Sequence, residues 1–224
     1  MSSPQIFTFL GRAGSGKGTQ AELLVKEFGF IYVGSGQMLR DLKNMDSFSG
    51  RKADRVMKEG KLVPTTLIFQ QWINRLEDIK NKENKNFKGI VFDGSPRMIG
   101  EAELLRQALE WYEWEENARA LLIDISREEA FNRLTKRRNC RECGQLIPYV
   151  GRYKTLEKCD KCGGELITRA DDTPEAINLR LDLFEKEVAP VIDFYQKEGK
   201  LIKINGEQSI EDVYKEILEK IKTY

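Results

Sequence analysis

Five short apolar runs punctuate the chain, at residues 5–10, 30–33, 89–92, 120–125 and 201–205, and each reads as a strand. The stretch 19–28 places Ala21, Leu24, Val25 and Phe28 on one helical face. Gly29 ends it, since glycine readily takes the left-handed cap conformation. Residues 35–80 read as helical and polar, broken at Gly50, Gly60 and Pro64. A helix holding Trp111, Tyr112 and Trp114 follows the third strand, and further helices are expected over 127–137, 174–197 and 210–221. Strands alternating with helices predict an α/β fold with a five-stranded parallel sheet covered on both faces. Two segments break the alternation. The expected organisation is one domain over 1–224, with core segments 1–33, 70–137 and 176–224 and insertions at 34–69 and 138–175.

Composition narrows the function. Apolar residues make up 40% and charged residues 33%, the balance of a soluble globular protein. Lys+Arg number 37 against 36 Asp+Glu, so the chain lacks the basic excess that non-specific nucleic-acid binding needs. No apolar run approaches the ~20 residues of a membrane span. Residues 1–10 lack the basic start and cleavage site of a secretory signal. The expectation is a cytoplasmic protein with neither nucleic-acid nor membrane partners. The chain has no histidine, which excludes His-based general-base catalysis and mixed Cys/His metal sites.

The first strand runs straight into Gly11, Arg12, Ala13, Gly14, Ser15, Gly16 and Lys17, which fit the P-loop pattern G-x-x-x-x-G-K between a strand and a helix. Glycines let consecutive backbone N–H groups curl around phosphate oxygens without Cβ clashes. The following helix points the positive end of its dipole at the same anion, and Lys17 adds a mobile full charge. Gly18 stands where a P-loop hydroxyl usually follows the lysine, and Thr19 brings it one place later. Mg²⁺ is therefore expected to be held by the phosphates and waters.

The four cysteines form two pairs, Cys140/Cys143 and Cys159/Cys162, separated by fifteen residues. Two C-x-x-C pairs flanking one loop in a cytoplasmic chain predict a structural Zn²⁺ site, all four thiolates filling a tetrahedral ion with no position left for substrate. A segment of this size buries too little core to hold itself, and a metal replaces that core.

Residues 11–20, Gly-Arg-Ala-Gly-Ser-Gly-Lys-Gly-Thr-Gln, resemble the phosphate loop of the adenylate kinase family. Residues 35–40, Ser-Gly-Gln-Met-Leu-Arg, resemble its Thr-Gly-Asp-Met-Leu-Arg segment, and residues 60–63 match a further motif. Residues 92–97, Phe-Asp-Gly-Ser-Pro-Arg, resemble its Asp-Gly-Phe-Pro-Arg turn, so motifs recur in family order from about residue 6 to 206. The zinc-bearing variants of the family place their lid cysteines in the same way. The resemblance implies a P-loop kinase fold, with 34–69 as a monophosphate-binding insertion and 138–175 as a zinc-binding lid. The implied reaction is phosphoryl transfer from ATP, with Mg²⁺, to a nucleoside monophosphate, carried out by a monomer.

The resemblance also assigns residues. ATP falls to Gly11, Ala13, Gly14, Ser15, Gly16, Lys17, Gly18 and Thr19, with Arg133 and Arg137. The acceptor falls to Ser35, Gly36, Arg40, Lys61, Val63, Gly94, Arg97 and Glu101, with Arg169 and Arg180 clamping phosphates on closure. Transfer itself is assigned to Lys17, Asp93, Arg97, Arg133, Arg137, Arg169 and Arg180, Asp93 holding waters on Mg²⁺. Arginine suits the task because its planar fork stays charged and binds phosphate bidentately. Asp171 and Asp172 fit a family Asp-Asp pair that either meets the lid arginines or caps the next helix.

One departure bears on specificity. Glu101 stands where the family has a glutamine that reads the acceptor's adenine. A carboxylate only accepts hydrogen bonds, so it suits guanine's two-donor edge better than adenine's donor–acceptor edge. The alternative is a helix-start acid turned to solvent. AMP is the favoured acceptor because residues 60–63 are expected to read the base through backbone groups. GMP or a pyrimidine monophosphate is the alternative, and a P-loop ATPase with a zinc-ribbon nucleic-acid module the distant one.

Overall fold

The computed structural model describes residues 4–59, 61–83, 86–168 and 172–222. In chain order it forms β1 (Gln5–Leu10), α1 (Lys17–Phe28), β2 (Ile31–Gly34), α2 (Ser35–Asn44), α3 (Phe48–Lys58) and α4 (Thr65–Asn81). Next come β3 (Gly89–Asp93), α5 (Ile99–Trp111), β4 (Ala118–Asp124), α6 (Arg127–Lys136) and the short strands β5 (Arg138–Cys140), β6 (Leu146–Ile147) and β7 (Leu166–Ile167). The chain closes with α7 (Pro174–Leu183), a π-helical turn (Phe184–Val188), α8 (Ala189–Lys197), β8 (Leu201–Asn205) and α9 (Ile210–Ile221). No helix among the described residues is long and apolar enough to cross a membrane.

The main sheet is five-stranded and parallel, in the order β2-β3-β1-β4-β8. Along β1 the side chains alternate between the two faces, as strand pleating requires. Ile6 packs with Trp72, Leu76 and Leu105 of α4 and α5, and Leu10 with Ala102 of α5 and Val191 of α8. Phe7 and Phe9 pack with Leu24 of α1 and Ile217 of α9 on the opposite face. Burial on both faces explains why the strands read as unbroken apolar runs rather than alternating ones. The P-loop follows β1, whose neighbours β3 and β4 lie on either side, and loops leaving the carboxyl ends of such strands form the crevice where open α/β sheets bind ligands. β5, β6 and β7 make a separate antiparallel sheet of three strands, in the order β6-β5-β7.

Several boundaries differ from the sequence reading. Gly50 does not break a helix. The interruption lies at 45–47, and Gly50 sits in the first turn of α3, where its N–H donates to the capping Ser47 Oγ at 3.0 Å. A Cβ there would lie 2.3 Å from the Met45 carbonyl, so the glycine serves close packing between α2 and α3 rather than a stop. Helix α5 ends at Trp111, leaving Tyr112 as its cap and Trp114 beyond Glu113, which takes a left-handed φ of 63°. Helix 174–197 is continuous but carries the π turn in its middle. Gly60, Arg169, Ala170 and Asp171 lie outside the described residues.

Candidate active site

The P-loop wraps from β1 to α1, with Gly14 and Gly16 at positive φ of 83° and 91°. At Gly14 a Cβ would also lie 3.2 Å from the Ala130 carbonyl of α6, so the loop is seated directly on that helix. Lys17 Nζ donates to the Arg12 carbonyl at 3.2 Å. Burial pushes its amine down to about 8; Asp93 opposes that shift, while Arg97 and Arg137 add to it.

Two cavities open beside the loop. The larger, about 990 Å³, is lined by P-loop residues 13–19, Arg133, Arg137, Gly206 and Gln208. The smaller, about 340 Å³, is lined by Ser35, Arg40, Lys61, Val63, Glu101 and Phe184, among others. They share Lys17, Gly36, Arg40, Gly94, Arg97 and Arg180 in their walls. Four cations drawn from four separate segments thus stand at the junction of a large and a small cavity. Gly11 contributes to the smaller cavity, Ser15 and Gly18 to the larger.

The arginines are held by different partners. Arg97 Nε donates to the Gly94 carbonyl at 2.6 Å, within a turn whose Ser95–Pro96 peptide is cis. Ser35 Oγ donates to the same carbonyl at 2.9 Å and to that of Asp93 at 3.3 Å, tying α2 to the turn after β3. Arg40 leans on Gln37 Oε1, its Nη2 at 2.8 Å. Arg133 is buried, donating to Glu129 Oε1 at 2.6 Å and to the Gly206 carbonyl at 3.0 Å. Arg137 forks onto both oxygens of Asp172, which also accepts from Arg180 at 3.0 Å. The Asp172 carboxylate is fully buried between the two guanidiniums. The helix-cap role belongs instead to Thr173, whose Oγ1 accepts from the Ala176 N–H. Lys61 pairs with the exposed Glu59 at 2.8 Å.

Glu101 is not in solvent. It is 3% exposed, and its Oε2 accepts from the Arg97 N–H at 2.6 Å. A carboxylate in the first turn of α5 reaching back past the helix start is half of a capping box. Burial raises its pKa, against the lowering effect of the Arg97 N–H and guanidinium. Asp93 accepts from the Tyr32 hydroxyl at 2.7 Å, and a Cβ on Gly18 would stand 3.3 Å from its Oδ2. Its carboxylate therefore sits against the P-loop.

The four cysteine sulfurs lie within 4.8 Å of one another. Cys140 and Cys162 Sγ are 3.4 Å apart, and Cys143 and Cys159 Sγ 3.6 Å. Four sulfurs at ~2.3 Å from a tetrahedral zinc would be about 3.8 Å apart, so the donor set fits that ion. The Cys143 N–H donates to Cys140 Sγ at 3.5 Å and draws that thiol down to about 7. The sequence reading missed Arg12, Tyr32 and Phe184. The first occupies an unspecified position of the P-loop pattern, and the other two carry no motif.

Comparison with known proteins agrees with this geometry. The family model described as adenylate kinase matches residues 9–200. The chain is 36% identical to an adenylate kinase of Petrotoga mobilis, over 96% of this chain and 97% of that protein. It is 37% identical to that of Thermodesulfovibrio yellowstonii, over 93% and 95%. Identity to the Archaeoglobus fulgidus adenylate kinase is also 37%, over 96% and 98%.

Proposed function

The chain belongs to the adenylate kinase family, and from that membership we propose that it transfers the terminal phosphoryl group of ATP to AMP, giving two ADP. The observation that carries the reading is the meeting of two unequal cavities at Lys17, Arg40, Arg97 and Arg180. ATP fits the larger cavity, its phosphates on the P-loop N–H groups and the N-terminus of α1. The monophosphate fits the smaller one, its phosphate between Arg40 and Arg97. The transferring group then passes the shared wall, where Lys17 and Arg180 neutralise charge on its oxygens. Arg133 and Arg137 steady the donor side, and by resemblance Arg169 joins Arg180 in clamping the phosphates on closure. Alignment does most of the work, because phosphoryl transfer asks little covalent chemistry of the protein. Mg²⁺ bound with ATP would offset charge on the phosphates, and Asp93 would hold its waters.

Zn²⁺ held by Cys140, Cys143, Cys159 and Cys162 is structural in this reading and takes no part in the reaction. Segments 34–69 and 138–175 are the parts proposed to close over the substrates, excluding water so that ATP is not simply hydrolysed. Glu101 gives a second reading its support: a buried acceptor-only carboxylate in the smaller cavity favours guanine. Steady-state transfer from ATP to AMP, GMP, CMP and UMP tests both. AMP should give the largest kcat/KM. ATP hydrolysis indifferent to every monophosphate would refute the kinase reading.

A further inference from the structure

Arg12, the second residue of the P-loop, is turned inward rather than to solvent, with its side chain 17% exposed. Nη1 donates to the Ile125 carbonyl at 2.9 Å, just past the end of β4, and lies 3.5 Å from Asp124 Oδ1. Nη2 donates to Glu185 Oε1 at 2.6 Å. The guanidinium sits 4.6 Å from the centre of the Phe184 ring, in cation–π range. Arg12 therefore ties three segments together: the P-loop, the end of strand β4, and the π turn that opens at Phe184.

The main chain of Arg12 is engaged as well. Its carbonyl accepts from the Ser15 N–H at 3.1 Å and from Lys17 Nζ at 3.2 Å. Fixing the side chain thus fixes the carbonyl on which the P-loop lysine rests. On the other side, Phe184 follows Arg180 by one helical turn on the same continuous helix, and both line the smaller cavity. A π turn inside an α-helix is a local departure that needs a partner, and such turns gather at functional sites. Here the partners are the charge and face of Arg12. A chain of contacts runs from Lys17 through Arg12 to Phe184 and Glu185, and along the helix to Arg180.

We infer that Arg12 is a positioning residue for phosphoryl transfer, holding the P-loop and its lysine at a fixed separation from the helix that carries Arg180. The inference rests on the kinase reading above. Arg12 lines neither cavity; it acts through the two cations between which the transferring group must pass. A misplacement of about 1 Å in such a pair lowers rates by about 10²-fold, and it does so in kcat, because the alignment matters at the transition state.

The test is a double-mutant cycle on Arg12→Met, which keeps the stem and removes the fork, and Glu185→Ala. Glu185 is 47% exposed, so its loss leaves the fold intact. Arg12→Met should lower kcat roughly 10- to 100-fold, with KM for ATP and for AMP within about twofold. Glu185→Ala should lower kcat about threefold to tenfold at unchanged Tm, and the double variant should be no worse than Arg12→Met alone. A kcat within twofold of wild type in both folded single variants overturns the inference. So does a KM effect with kcat preserved, which would make Arg12 a ligand contact, and so do fully additive losses. If circular dichroism shows Arg12→Met unfolded, Glu185→Ala decides alone by the same kcat criterion. A wild type that transfers nothing overturns the kinase reading and this inference with it; a wild type that transfers beside unaffected variants overturns this inference only.

Discussion

Glu101→Gln separates the two acceptor readings. The substitution keeps shape and volume, and a glutamine oxygen can still accept from the Arg97 N–H now bound at 2.6 Å. It exchanges a charge-assisted bond for a neutral one, costing about 1 kcal/mol of stability. It also relieves a buried charge whose desolvation already raises the carboxyl pKa. The two changes oppose each other, so Tm should move little. At the base the effect is one-sided. The amide adds a donor toward the smaller cavity, where adenine offers an acceptor beside its amino group. One matched contact in a closed site is worth about 1–2 kcal/mol, roughly 5- to 30-fold in kcat/KM for AMP, mostly through KM. Use of GMP should fall by a similar factor. The pH dependence supplies an internal check. The raised pKa brings the neutral, hydrogen-bond-donating form of Glu101 in at a higher pH than an ordinary carboxyl. The gap in AMP use between wild type and Glu101→Gln should therefore narrow as pH falls. Both monophosphates are assayed by coupled ADP formation in both proteins. Changes under twofold for AMP and GMP alike refute the argument and leave Glu101 as the clasp of the Arg97 turn.

Lys17→Met should cut transfer by about 10²–10⁴ in a folded protein, measured as single-turnover rate. Because the Lys17 amine sits near 8 when folded and near 10.5 when unfolded, the unfolded chain binds more protons between those values. The wild type should accordingly gain stability relative to Lys17→Met as pH rises from 8 to 10.5, and a wild-type Tm that falls relative to that of Lys17→Met over that window contradicts the assignment. Purified protein should carry one Zn²⁺ per chain by elemental analysis, and Cys159→Ser should lose it and melt residues 138–167 ahead of the main sheet by hydrogen exchange. Spin labels at the exposed Glu157 and Lys215 should draw together when a bisubstrate analogue saturates the protein, with hinges near Gly34, Lys136 and Thr173; an unchanged distance distribution removes the closing motion.

The parallel sheet was legible because its strands are buried on both faces, which leaves apolar runs such as Ile6 to Leu10 and Ala120 to Ile123 unmixed with charge. The P-loop and the cysteine pairs were legible because each is a pattern of local spacing. What escaped depends on contacts far apart in sequence. The π turn at Phe184 meets Arg12 across 173 positions between Arg12 and Glu185, and no helical periodicity records that. Glu101 has the sequence look of an exposed helix-start acid, and only the fold of the Arg97 turn brings it inside. Gly50 reads as a breaker until the carbonyls of Leu42 and Met45 are found against it. For Asp172 the sequence left two roles open, meeting arginines or capping the next helix, and the choice depended on where α7 begins.

If Arg137 and Arg180 hold phosphate as proposed, Asp172 bears on how an anion gains access to them. Its carboxylate already occupies the forks of Arg137 and Arg180, so these guanidiniums are not bare charges in the resting molecule. A phosphate that recruits them must outbid an internal occupant that is tethered and desolvated. Affinity at these two arginines is then a difference between two anions, small for a stray sulfate or a lone monophosphate and large only when a full polyphosphate brings several contacts at once. A built-in rival of this kind lowers the net affinity for every anion, and so sets a threshold that only a ligand with several simultaneous contacts clears.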